Sequence, residues 1–160
     1  MPLLQFPVTH TNQLSAMAFD YGTQKIGVAF GQSLAGSAQA IAVLKANSGV
    51  PDWDAVAQLV LEWQPQIFVV GLPYNMDGTE SELLPRAIKF GNRLNGRFNL
   101  PCYGIDERLS TREAREHMDA QGIKSAHAKK RAAIDDIAAR IILENWFAEW
   151  RTRSESSENF

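Results

Sequence analysis

Three strand-like segments precede the first helical pattern of this chain, and their order restricts the fold more than any other feature. Residues 17–22 are mostly apolar and end in an acid and a glycine. After a short turn, Ile26, Val28 and Phe30 alternate with small residues, which is the period of a strand. Residues 38–46 predict a third strand. Because the connections are short, we expect the three strands to run antiparallel.

Helical and strand patterns alternate in the rest of the chain. A helix opens at Pro51 and Asp52, with apolar residues spaced three and four apart. Residues 66–71 form a continuous apolar run, as expected of a central strand covered on both faces. Residues 100–106 predict a fifth strand, and residues 129–150 predict a terminal helix.

Two sequences of the form S/T-x-x-E predict further helix starts. Thr79 with Glu82, and Ser110 with Glu113, match the capping box, in which each side chain accepts a hydrogen bond from the other residue's backbone N–H. The second of these helices should end near Gly122.

The resulting order, βββαβαβα, predicts an α/β fold of the ribonuclease-H type. We expect a five-stranded mixed sheet, with three antiparallel strands followed by two parallel ones and helices on both faces. A flavodoxin-like fold would need helices between the first strands. The length of 160 residues suits a single domain over 1–160, with its core at 15–150, an N-terminal extension at 1–14 and a polar tail at 151–160.

Charge is unevenly distributed along the chain. The net charge of −2 gives no overall basic character, but residues 86–131 carry +6, whereas residues 1–85 carry −5 and residues 132–160 carry −3. A basic segment between acidic ones suits an enzyme that binds an anionic backbone beside cations, although a solvated helical face has the same composition. One cysteine excludes an internal disulfide. With no basic leader and no long apolar stretch, we expect a cytoplasmic protein without a membrane segment.

Carboxylates are the candidate reactive groups. Asp20 ends an apolar strand, where it could either cap a turn or face a ligand. Asp135 shares one face of the terminal helix with Ala138 and Ala139, where a carboxylate is costly unless a cation or hydrogen bonds satisfy it; an acid in a first helical turn is the alternative. Asp106 and Glu107 point to opposite faces if the strand continues, so only one of them should join Asp20.

Other reactive motifs are absent from the sequence. No histidine has metal-ligand spacing, and neither a Walker loop nor a dinucleotide-binding glycine motif is present. The segment 71–80 predicts a loop, whose following helix start could bind a phosphate through backbone amides.

Four segments together resemble the YqgF family: DYGTQKIGVAFG (20–31), VVGLPYNMDGTE (69–80), DERLST (106–111) and AAIDDIAARIILENWF (132–147). They occur in family order over roughly residues 15–148. Members of that family are similar to Holliday-junction resolvases and are regarded as nucleases that mature the 5′ end of pre-16S ribosomal RNA. The related resolvases carry an acid at the end of the fourth strand, where this chain has Gly71.

The resemblance implies a metal-dependent phosphodiester hydrolase. It implies that Asp20, Glu107 and Asp135 are the catalytic residues and hold Mg²⁺ or Mn²⁺. Precursor rRNA and ribosomal particles are the implied partners, and we expect a monomer or a weak homodimer. Alternatives are a DNA-junction endonuclease, which we favour less, and a non-catalytic RNA- or ribosome-associated factor. The expected substrate-binding residues are Lys25, Asn75, Arg108, Arg112 and Lys130.

Overall fold

The computed structural model describes residues 3–5, 13–108 and 127–158, and the side chains of the terminal helix from residue 137 to residue 152. In this part of the chain six strands form one sheet in the order β4-β3-β2-β1-β5-β6. β1 pairs antiparallel with β2 and parallel with β5, which in turn pairs parallel with β6. The strands are β1 (Ser15–Asp20), β2 (Lys25–Gln32), β3 (Ser37–Asn47), β4 (Val50–Pro51), β5 (Ile67–Leu72) and β6 (Cys102–Asp106).

The predicted ribonuclease-H type of α/β architecture is confirmed, but the count of five strands was wrong. The additional strand, β4, has only two residues, which pair with Ala46 and Asn47 across a tight turn. Two residues are too few to leave an alternating pattern in the sequence. This short strand lies at the edge of the sheet, so the other five strands keep the predicted arrangement of three antiparallel strands followed by two parallel ones.

Helices cover both faces of the sheet. α1 (Trp53–Trp63) and α2 (Leu84–Phe98) pack on one face, and α3 (His127–Glu158) packs on the other. Alternation along β1 divides the core accordingly: Met17 and Phe19 face α1 and α2, whereas Ala16 and Ala18 face α3. Asp20 continues the alternation of Ala16 and Ala18 along β1, so its side chain lies on the α3 side of the sheet.

The helix starts agree only partly with the sequence motifs. Asp52 caps α1 by accepting a hydrogen bond from the Asp54 amide at 3.0 Å. The capping box predicted at Thr79 and Glu82 was wrong, because α2 begins at Leu84 without a side-chain cap. Thr79 instead donates its hydroxyl to Asp77 at 2.6 Å. The second predicted capping box and the helix end near Gly122 lie outside the described residues.

The segment Leu3 to Gln5 packs along the free edge of β6. The Leu4 carbonyl accepts a hydrogen bond from the Gly104 amide at 2.9 Å, and the Gln5 carbonyl accepts one from the Trp146 indole at 2.7 Å. This part of the predicted N-terminal extension therefore contacts both the sheet and α3. Across the described ranges, no helix has the length and apolar character needed to cross a membrane.

Candidate active site

Asp20 and Glu107 meet at the carboxyl ends of the parallel strands. The pairing of Phe19 with Val70 brings Asp20 level with Gly71, and Gly71 pairs with Ile105 on β6. Glu107 follows β6 directly, and its amide donates to the Leu72 carbonyl at 3.1 Å. Two residues beyond Ile105, Glu107 lies on the same side of the sheet as Ile105, which is the α3 side.

The two carboxyl groups are in contact with each other at a partly buried site. Glu107 is partly buried, and its carboxyl group forms a hydrogen bond with Asp20. Desolvation raises the pKa of Glu107 to about 9, with the charge of Asp20, that hydrogen bond and the charge of Asp106 acting in the same direction. These influences favour the protonated form of Glu107 at neutral pH. We call Asp20 and Glu107 the acid pair.

Gly71 makes room for the acid pair. A Cβ atom at this position would lie 2.9 Å from Oε2 of Glu107 and 2.6 Å from Cδ1 of Ile142. The Glu107 carboxyl group thus occupies the space into which a side chain at the end of β5 would project.

Asp106 faces away from the acid pair and binds Arg108. Its carboxylate accepts from the Arg108 backbone amide at 3.0 Å and from the guanidinium at 2.6–3.1 Å. The Arg108 guanidinium also lies 5.9 Å from the centre of the Tyr74 ring. Hydrogen bonding to Asp106 raises the pKa of Arg108. Arg108, predicted to bind substrate, therefore connects the end of β6 to the loop after β5.

Asn75 maintains the shape of that loop in the described structure. Its side-chain amide donates to the Thr79 hydroxyl at 3.0 Å and to the Glu80 carbonyl at 3.3 Å. Gly78, with φ of +89°, lies at the turn. These contacts position the loop beside Arg108, and a direct role of Asn75 in substrate binding stays a prediction.

Lys25 lies directly opposite Lys45 in the antiparallel pairing of β2 with β3. Both side chains are exposed, and they share the face of the sheet that carries Asp20. Like charges in directly opposed positions repel one another, and an anion bound between them would relieve the repulsion. Lys45 was missed by the sequence reasoning, because its position depends on the register of the β2–β3 hairpin.

The structure leaves three predicted site residues without a described side chain. Asp135 and Lys130 belong to the backbone of α3, and Arg112 lies outside the described residues. Asp135 precedes Ile142 by two helical turns, and Ile142 is the α3 residue beside Gly71 and Glu107. Where side chains are described, no group of three His, Cys, Asp or Glu residues is arranged to hold a metal ion.

The acid pair fits a hard divalent cation. Oxygen ligands are those that Mg²⁺ and Mn²⁺ prefer, and both members of the pair are carboxyl groups. Every influence on the Glu107 carboxyl raises its pKa, so a cation placed there would remove the repulsion and release a proton. Cys102 offers no comparable chemistry, because burial raises the pKa of its thiol to about 12.

The fold and this site define a class: α/β proteins of the ribonuclease-H type with carboxyl groups gathered where parallel strands end. Residues 14–149 match the RuvX family, described as Holliday junction resolvase. The chain belongs to that family, which is also the YqgF family, so the predicted resemblance is confirmed.

Two relatives show how extensive the similarity is. A protein of Pseudomonas paraeruginosa named "Putative pre-16S rRNA nuclease" is 53% identical over 133 residues, covering 83% of this chain and 91% of the relative. A protein of Glaesserella parasuis with the same name is 50% identical over 135 residues, covering 84% and 96%. Among solved structures, the fowlpox virus Holliday junction resolvase covers 85% of this chain and 98% of its own, with a TM-score of 0.48 and 17% identity.

Proposed function

We propose that this protein is a metal-dependent nuclease that hydrolyses phosphodiester bonds and processes the 5′ end of pre-16S rRNA. The observation that carries the proposal is the acid pair, two hydrogen-bonded carboxyl groups that meet at the ends of β1 and β6. The name that the relatives at 50–53% identity carry, pre-16S rRNA nuclease, supports the substrate. The site of action would be the cytoplasm, on precursor rRNA or ribosomal particles, and the protein would act as a monomer or weak homodimer.

Asp20, Glu107 and Asp135 are the residues that would hold Mg²⁺ or Mn²⁺. When bound, such a cation supplies Lewis acidity that lowers the pKa of the attacking water and stabilises charge on the leaving oxygen. Asp20, at the end of β1, and Glu107, directly after β6, would position the cation. Glu107 would give up its proton as the site is loaded, because a nearby cation favours the ionised carboxylate.

The basic residues around the site would hold the polynucleotide. Lys25 and Lys45 would attract a phosphate to the face of the sheet that carries Asp20. Arg108, Arg112 and Lys130 would contact neighbouring phosphates, which gives position on the strand rather than sequence choice. Asn75 would contribute through the loop that it maintains beside Arg108.

The test is cleavage of an RNA spanning the 5′ end of mature 16S rRNA by the purified protein with Mn²⁺. Asp20→Asn and Glu107→Gln should each reduce the rate by two orders of magnitude or more. Asp54→Asn, which removes an exposed acid from α1, is the matched charge control and should cleave normally. Cleavage that persists unchanged in Asp20→Asn would disprove the proposal.

DNA-junction resolution is a second candidate, favoured by the description of the family as Holliday junction resolvase. It predicts that the same preparation cuts a four-way DNA junction symmetrically and more rapidly than the precursor RNA. Parallel assays on both substrates, with Asp20→Asn as the shared negative control, separate the two candidates.

A further inference from the structure

A cleft of about 200 Å³ lies on the sheet face opposite the acid pair, between α2, the start of α1 and the β3–β4 turn. We call it the α2 cleft. Its lining combines three basic side chains with aromatic and backbone groups, and contains no acidic residue. The lining residues are Tyr21, Ser48, Gly49, Val50, Trp53, Arg86, Lys89, Phe90 and Arg93.

One wall of the α2 cleft is held by specific polar contacts. The Arg86 guanidinium donates to the Ser48 carbonyl at 2.6 Å, and the Tyr21 hydroxyl donates to the Gly49 carbonyl at 3.1 Å. Gly49 has φ of +84°, and a Cβ atom there would lie 2.0 Å from the Tyr21 oxygen. The β3–β4 turn therefore binds both side chains through its carbonyl groups, and Arg86 forms part of the cleft wall.

Lys89 and Arg93 differ from Arg86 in their contacts. Both are exposed on the same face of α2, one helical turn apart, and line the α2 cleft. Within the described residues, the ion pairs involve Arg108 with Asp106 and Arg140 with Glu144, and neither involves Lys89 or Arg93. Two adjacent cations in a concave surface without a facing acid attract an anion.

The α2 cleft adjoins the acid pair through the end of β1. Tyr21, which closes the cleft, follows Asp20 directly in the chain. Asp20 is on the α3 side, whereas Tyr21 belongs to the core cluster on the α1 and α2 side. A strand of nucleic acid that crosses the sheet at this end would therefore meet the acid pair first and the α2 cleft next.

We propose that the α2 cleft binds the phosphate backbone of a single-stranded polynucleotide, through Lys89 and Arg93, a few nucleotides from the bond at the acid pair. This inference deepens the proposed function and rests on it for the identity of the ligand. It predicts that the protein holds substrate on both faces of the sheet, with the scissile phosphate on one face and the flanking strand on the other.

The experiment measures the affinity for a short, labelled, single-stranded RNA by fluorescence anisotropy in EDTA, as a function of salt concentration. The slope of log K against log salt is negative, and each lost phosphate contact should make it shallower by about 0.7, which corresponds to about fivefold weaker binding at 0.1 M salt. Arg93→Gln should show this loss. The double variant Lys89→Gln/Arg93→Gln should bind about 25-fold more weakly.

Arg151→Gln is the matched control, because Arg151 contacts the Ser33 carbonyl beyond the opposite end of β1 and β2. It should bind RNA normally, and all variants should hydrolyse bis(p-nitrophenyl) phosphate with Mn²⁺ at the rate of the unaltered protein. Equal losses in Arg93→Gln and Arg151→Gln, or no loss in the double variant, would overturn the proposal. RNA binding that depends on the α2 cleft, without any cleavage of RNA or phosphodiester, would instead reject the nuclease function and leave the cleft assignment standing.

Discussion

At the scale of single residues, Gly71 determines how closely Glu107 and α3 approach the end of β5. Gly71→Ala places a methyl group 2.6 Å from Ile142 Cδ1 and 2.9 Å from Glu107 Oε2. Overpacking of this kind costs about 1–3 kcal/mol of stability. We expect lower stability, measured by urea unfolding, together with a loss of Mn²⁺-dependent activity because the carboxyl group is displaced.

Ile142→Val separates the two consequences of that substitution. It removes the Cδ1 atom, so the double variant Gly71→Ala/Ile142→Val should recover part of the stability lost in Gly71→Ala. The contact with Glu107 remains, so activity should stay low. Full recovery of activity in the double variant would show that Gly71 serves only the packing of α3.

Glu107 should make the stability of the metal-free protein depend on pH. Its folded-state pKa of about 9 lies above the ordinary value of 4.5, so the folded state binds more protons than the unfolded state between these values. The free energy of unfolding contributed by this group is therefore greatest below about pH 4.5 and is lost as the pH rises toward 9.

Comparison of Glu107→Gln with the unaltered protein measures this contribution. In EDTA at pH 8.5, the variant should be more stable by a few kcal/mol, because each unit of pKa shift corresponds to about 1.4 kcal/mol, and the difference should shrink as the pH falls toward 5. Saturating Mn²⁺ should stabilise only the unaltered protein, because a bound cation compensates the ionised pair. A difference between the two proteins that is constant from pH 5 to pH 9 contradicts the assignment.

At the scale of strands and helices, sequence patterns predicted the elements whose signal extends over many residues. The apolar run at 66–71 and the alternation at Ile26, Val28 and Phe30 matched β5 and β2. Thr79 failed as a helix cap because its hydroxyl donates to Asp77 and accepts from the Asn75 side-chain amide within a local loop. These two hydrogen bonds depend on the folded turn, so no separate sequence motif predicts them.

The sequence also predicted some of the residues of the candidate site. The ends of apolar strands pointed to Asp20 and to the neighbouring acids at 106 and 107. The choice between those acids depends on where β6 ends and on the capture of Asp106 by Arg108, which are properties of the folded chain. The pairing of Lys25 with Lys45 depends in the same way on strand register.

The β2–β3 hairpin supplies a prediction about that lysine pair. Lys45→Ala should leave the free protein equally stable or more stable by about 0.2–1 kcal/mol, because it removes a like charge from the position opposite Lys25. The same substitution should weaken RNA binding about fivefold at 0.1 M salt. Weaker RNA binding without a loss of stability is the result expected of a residue that contacts the ligand. Lower stability with unchanged RNA binding would assign Lys45 a structural role.

At the scale of the whole molecule, the sheet separates two apolar cores and brings polar groups from both sides to one end. Trp146 and Ile142 fill the core beneath α3, while Phe19 and Phe90 fill the core beneath α1 and α2. The acid pair and the α2 cleft adjoin different cores. A substitution in one core should therefore affect the site on the other face mainly through the end of β1, where Asp20 and Tyr21 are consecutive residues.

The segment Leu3 to Gln5 connects both cores at the edge of β6, and it lies outside the residues that match the family model. Leu3 packs against Gly91 and Gly104, whereas the neighbouring Leu4 is 62% exposed and contributes its backbone carbonyl. Leu3→Ala should therefore lower the free energy of unfolding by about 1–2 kcal/mol, less than a fully buried leucine would, while Leu4→Ala should change it by less than about 0.5 kcal/mol. Urea unfolding followed by tryptophan fluorescence measures both values. Equal effects of the two substitutions would mean that the segment is held by its backbone hydrogen bonds alone, since both variants preserve them.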